Sequence, residues 1–144
     1  MTARRALKTL ETLGRARDFE LSERRREAAV AVDRLQRTIA MIGQLRDALR
    51  EEGEVLTGEP AMMRVYAAFA ADARRRITAL VAMQKQLEAD VDRADERVRE
   101  AFEALKQVEQ AADARRQEIA LEDARKEQAA DDDMATSRAM RPSA

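Results

Sequence analysis

The chain has no cysteine, no histidine and no tryptophan, and of its 144 residues only 4 are glycine, 2 are proline and 3% are aromatic. Each scarcity excludes something. Without cysteine there are no disulfides, thiolate ligands or thiol nucleophiles, and without histidine the commonest general base and metal ligand are missing. So few aromatics leave no stacking platform for single-stranded nucleic acid. Lys+Arg 27 against Asp+Glu 28 leaves no net field to draw a polyanion or an anionic membrane. No apolar run approaches the roughly 18 residues that span a bilayer, and the opening MTARRALKTLETLGRARDFE lacks the apolar core of a secretory signal. The expectation is a soluble, intracellular chain. There is no Gly-x-x-x-x-Gly-Lys phosphate loop, which argues against an NTPase. The acidic neighbours Glu51 and Glu52, and Asp131 to Asp133, fall on an expected turn and tail, where nothing shields them from water. No catalytic residue, cofactor, metal, nucleic acid or small-molecule ligand is expected.

What is present suits long helices. Hydrophobic residues make up 45%, mostly alanine, valine, leucine and methionine, and charged residues 38%. The breakers gather in one stretch, REEGEVLTGEPAMM, which holds Gly53, Gly58 and Pro60. Gly53 suits the left-handed residue that ends a helix, Val55 to Gly58 can turn the chain, and Pro60 is tolerated in a helix's first turn. The sequence therefore predicts an all-α fold, a long antiparallel two-helix coiled-coil hairpin forming a single unit. Its first helix covers about residues 3–51, its turn about 52–59, its second helix about 60–130 and a flexible tail about 131–144.

The second helix carries the clearest pattern. From Tyr66, steps of four and three reach Ala70, Ala73, Ile77, Leu80, Gln84, Leu87, Val91, Ala94, Val98, Ala101, Leu105, Val108 and Ala112, and then the mixed positions Arg115, Ile119 and Glu122. This is a heptad seam. In the first helix Val32, Leu35, Ile39, Ile42 and Leu49 keep the same spacing, but the phase drifts through Leu21, Arg25 and Ala28, and Leu7, Leu10 and Leu13 stand three apart. With a pivot near residue 56, position i faces about position 112 minus i, pairing Val32 with Leu80, Ile39 with Ala73 and Leu7 with Leu105. The longer second helix then extends past the first by about 20 residues, and Ile119 and Leu121 lack cover from the chain itself. A structural or tethering coiled coil, including a parallel dimer of opened rods, fits the same heptads.

ALKTLETL near the start, a hairpin near the middle, VYAAFAADARRRIT opening the second helix, and the charged ending LEDARKEQAADDDMATSRAMR together resemble the FliJ family of flagellar type III export, with the YscO-type injectisome proteins as relatives. The resemblance covers nearly the whole chain. It implies a likeness to the γ-subunit stalk of rotary ATPases, in which the end carrying both termini meets the hexameric export ATPase (FliI-like) and another part of the hairpin meets the export gate membrane protein (FlhA-like). A role in escorting export chaperones is implied too, at the cytoplasmic face of the inner membrane, in either the flagellar or the injectisome branch. On this sequence the ATPase-contact candidates are Arg4, Arg5, Lys8, Arg15, Arg17, Ile119, Leu121, Arg125 and Lys126. Charge supports that choice, since Met1 to Glu27 has eight basic against five acidic residues, and Glu122 to Asp133 has six acidic against two basic. The gate-contact candidates are Phe69, Ala73, Arg76 and Leu80, with Arg76 where the family pattern has a small residue. Met62, Met63 and Met83 could form an adaptable client surface.

Overall fold

The computed structural model describes residues 2–55 and 58–141. Two long helices, α1 (Ala3–Val55) and α2 (Pro60–Ala139), pack against each other as an all-α hairpin. Thr2 caps α1, its hydroxyl accepting from the Arg5 N–H at 3.3 Å. Pro60 is the first residue of α2, where its missing N–H costs nothing.

The ends of both helices differ from the expectation. α1 continues through Gly53 to Val55, and the left-handed residue is Gly58, with φ 78°. Gly53 is small for another reason. A Cβ there would lie 3.1 Å from the Tyr66 hydroxyl, which reaches across to donate to the Leu49 carbonyl at 3.3 Å. The glycine makes room for an aromatic that ties the two helices together. Leu56 and Thr57 of the expected turn lie outside the described residues, as do residues 142–144 of the expected tail.

At the other end α2 runs on through 131–139, where the sequence suggested a flexible tail. The chain has no glycine or proline between Pro60 and Arg141, so nothing breaks the helix. Gln128 donates to Asp132 one turn on, at 3.2 Å, and Arg138 in the last turn suits the negative end of the helix dipole.

Contacts divide the chain into two units, Met1–Leu21 with Ala101–Ala144, and Ser22–Glu100. In a two-helix hairpin a residue touches only the residues at its own level, so one long element need not form one contact cluster. Each unit has its own stretch of seam. In α2 the seam follows the heptad pattern, every position from Tyr66 to Ala112 being buried or half-buried. The most enclosed of these are small: Ala70, Ala73, Ala94, Ala101 and Ala112. With two helices and no third layer, alanines let the backbones approach, while larger side chains such as Leu87 and Val91 keep one flank in water.

The seam of α1 is not the one expected. Leu7, Leu10, Gly14, Arg17 and Leu21 face inward in the first unit, and Arg24, Ala28, Ala31, Leu35, Thr38, Ile42, Leu45 and Leu49 in the second, at unbroken three-and-four spacing. Val32, Ile39 and Leu13 are exposed instead. Facing positions sum to about 122, as Gly14 and Val108 do, and not to 112. Thus Val32, Ile39 and Leu7 do not meet Leu80, Ala73 and Leu105. The pivot assumption failed because the two helices do not start level. The first two turns of α2 extend beyond the end of α1, leaving Met62, Met63 and Val65 exposed.

The interior glycines of α1 give a direct expectation. A Cβ on Gly43 meets nothing within 4 Å, and one on Gly14 meets the Val108 Cγ1 at an ordinary 3.7 Å. Gly43→Ala and Gly14→Ala should each stabilise the hairpin by roughly 0.5–1 kcal/mol, read as a rise in melting temperature by circular dichroism. A fall for Gly43→Ala would contradict its placement in open space.

Candidate functional site

Two surfaces collect several of the residues singled out from the sequence. The first is in the unit holding both chain ends. Arg4, Leu7, Lys8 and Glu11 of α1 and Arg116 and Ile119 of α2 line a shallow open groove. Leu7 and Ile119 are half-buried at its floor, and charged groups form its walls. Arg4 Nη2 donates to both carboxylate oxygens of Asp123, at 2.9 and 2.8 Å, and Arg116 lies 3.6 Å from Glu11 across the helices. These groups are largely exposed, so each pair contributes about 0–1 kcal/mol and can exchange partners at little cost.

Three ATPase-contact candidates, Arg4, Lys8 and Ile119, thus line one groove. The others are placed differently. Arg5 is exposed on α1, and Arg15 bonds to the Thr12 hydroxyl one turn back at 3.2 Å. Arg17 occupies a seam position, its Nη1 on Glu20 at 3.1 Å and its Nε enclosed without a partner. That position gives Arg17 a packing role, with its side chain 42% exposed. Leu121, 60% exposed, stands between Ile119 and Asp123, whereas Arg125 and Lys126 stand on the part of α2 beyond the Arg4–Asp123 pair, where every described residue is exposed. Glu11, Arg116 and Asp123 were missed. Their signal was present in the sequence as the positions flanking the α2 and α1 seams, but it could be used only with the correct register.

The second surface lies in Ser22–Glu100. Met41, Gln44, Leu45 and Ala48 of α1 and Arg76, Ala79 and Leu80 of α2 line an apolar groove along one flank of the seam. Of the gate-contact candidates, Arg76 and Leu80 line it, with Arg76 Nε 3.2 Å from Asp72. Phe69 is 38% exposed on the same flank of α2, one heptad before Arg76. Ala73 is corrected: at 2% exposure it is seam core and has no surface to offer a partner. Met41, Leu45 and Ala48 were not singled out, although their spacing of four and three marks one face of a helix. Met62, Met63 and Met83 are about half exposed, none of them in this groove's lining.

Two helices with shallow grooves on their flanks, rather than an enclosed cleft, define a class of protein whose surface is its working part. Among the described residues no group of three acidic side chains is arranged to hold a metal ion, and no helix is long and apolar enough to cross a membrane. The family described as Flagellar FliJ protein matches residues 3–144, and the chain belongs to the FliJ family. It is therefore a protein of flagellar type III export, from a family of export components and not of enzymes. Comparison with curated proteins and with solved structures gives no match.

Proposed function

We propose that this chain is the stalk-like coupler of the export apparatus, which binds a hexameric export ATPase at the unit carrying both termini and the export gate membrane protein at the Met41–Leu80 groove. The observation that carries this reading is the groove of Arg4, Lys8 and Ile119 beside a bare extension of α2. A ring of ATPase subunits that change state in turn needs contacts that form and break cheaply, and exposed exchangeable ion pairs have that property. The extension presents Arg125 and Lys126 with no helix of the chain opposite them, and Leu121 stands exposed just before it.

The gate contact uses different chemistry. Phe69 and Leu80 supply apolar area and Arg76 supplies charge, a combination common at the centre of protein interfaces. The protein would work at the cytoplasmic face of the inner membrane, held there by its partners, and the exposed methionines near the start of α2 suit transient contact with export chaperones. It performs no chemistry of its own. In the test, the purified chain is added to the cognate export ATPase while ring assembly and ATP turnover are followed. Both are expected to rise, and no change in either would leave the chain a simple tether.

A further inference from the structure

Within Ser22–Glu100, α1 carries two largely apolar stripes that share four of their seven members. The stripe in the seam is Ala28, Ala31, Leu35, Thr38, Ile42, Leu45 and Leu49. The other is Ala28, Val32, Leu35, Ile39, Ile42, Arg46 and Leu49, with equally regular spacing. They share Ala28, Leu35, Ile42 and Leu49 and differ by one position at three levels. At two of these the smaller or more polar residue is the one inside. Thr38 is 6% exposed, with its hydroxyl turned back to the Arg34 carbonyl at 3.1 Å, while Ile39 beside it is 46% exposed and Val32 is 36% exposed. At the third level the preference reverses, since Leu45 is the apolar residue and Arg46 the charged one.

The two arrangements therefore offset each other. Turning Val32 and Ile39 inward gains apolar burial over Ala31 and Thr38, and turning Leu45 outward for Arg46 loses it. The register sets Gln84 of α2, half-buried, at the level of Thr38. A polar residue on the opposing side weakens the preference for either face of α1.

We propose that α1 in this unit is a two-position element, able to rotate about its axis by about 50°, half the 100° between successive residues. Rotation carries Val32 and Ile39 into the α2 seam and moves Thr38 and Leu45 out toward the flank where Met41, Leu45 and Ala48 line the apolar groove. A partner with apolar side chains seated in that groove then favours the rotated position, because it covers the Leu45 that rotation exposes. In the other unit the same rotation would exchange Leu10 for Glu11 in the seam and break the Arg116–Glu11 pair, so the alternative belongs to Ser22–Glu100. This proposal rests on the two stripes and stands whether or not the export ATPase binds the chain.

The absence of native cysteine makes the test clean. Three double-cysteine forms of the full chain are oxidised at high dilution with copper phenanthroline, and intramolecular disulfide is followed over time, with circular dichroism verifying equal helicity. Thr38→Cys with Gln84→Cys reports the packing described here, Ile39→Cys with Gln84→Cys reports the rotated one, and Ala40→Cys with Gln84→Cys is an outward-facing control. The 38–84 and 39–84 pairs should both close, the latter at least about tenfold faster than 40–84. Adding Val32→Ser should slow 39–84 several-fold and leave 38–84 unchanged. A 39–84 rate equal to the control, or one indifferent to Val32→Ser, overturns the proposal.

Discussion

Replacing Ile42 with aspartate is expected to cost about 3–5 kcal/mol, enough to unfold much of the Ser22–Glu100 unit. Ile42 is 4% exposed in the seam, where a carboxylate would lose its water. Ile39→Asp, three residues earlier, is expected to cost less than about 1 kcal/mol, because that side chain already stands largely in solvent. Urea unfolding followed by circular dichroism measures both. The contrast is informative because a simple apolar periodicity assigns the two isoleucines to the same stripe. Equal losses would place Ile39 in the seam and contradict the orientation of α1.

That orientation shows where sequence reading works and where it fails. The α2 seam was legible position by position, because alanine, valine, isoleucine and leucine recur there with Gln84 as the one polar interruption between Tyr66 and Ala112. The α1 seam was not. It includes Gly14, Arg17, Arg24 and Thr38, and a search for apolar residues passes over these in favour of Leu13, Val32 and Ile39 beside them. An antiparallel pair tolerates such residues when the opposite helix supplies the apolar surface, as Val108 does for Gly14. The register was illegible for a related reason, since it depends on how far α2 starts beyond the end of α1, and no residue type encodes that offset.

The candidate site was legible in its charge and its location, but not in its pairing. Basic residues early in α1 and acidic residues late in α2 suggested an electrostatic open end, and the Arg4–Asp123 pair forms there. Which residues remained available could not be read from the sequence: Arg17 turned out to be in the seam and Ala73 in the core.

The second large effect concerns that open end. The double reversal Arg4→Glu, Lys8→Glu is expected to leave helicity and melting nearly unchanged, because both residues are exposed and the Arg4–Asp123 pair is solvated. It should nonetheless weaken engagement of the export ATPase by about tenfold or more, equivalent to about 1.4 kcal/mol, as measured by co-sedimentation or by loss of stimulated turnover. Adding Asp123→Arg separates two causes. If the third change restores binding, Arg4 acts by holding the two helices together. If binding stays weak, Arg4 and Lys8 act through direct contact, which is the outcome expected here.

Photo-crosslinking tests most directly which of the two units the ATPase grips. A benzoylphenylalanine at Leu121, exposed just before the bare extension of α2, and one at Val65, 68% exposed near the start of the same helix, are each irradiated in the presence of the export ATPase. The account predicts a crosslink to the ATPase from position 121 and none from position 65. A crosslink from position 65 alone would contradict it.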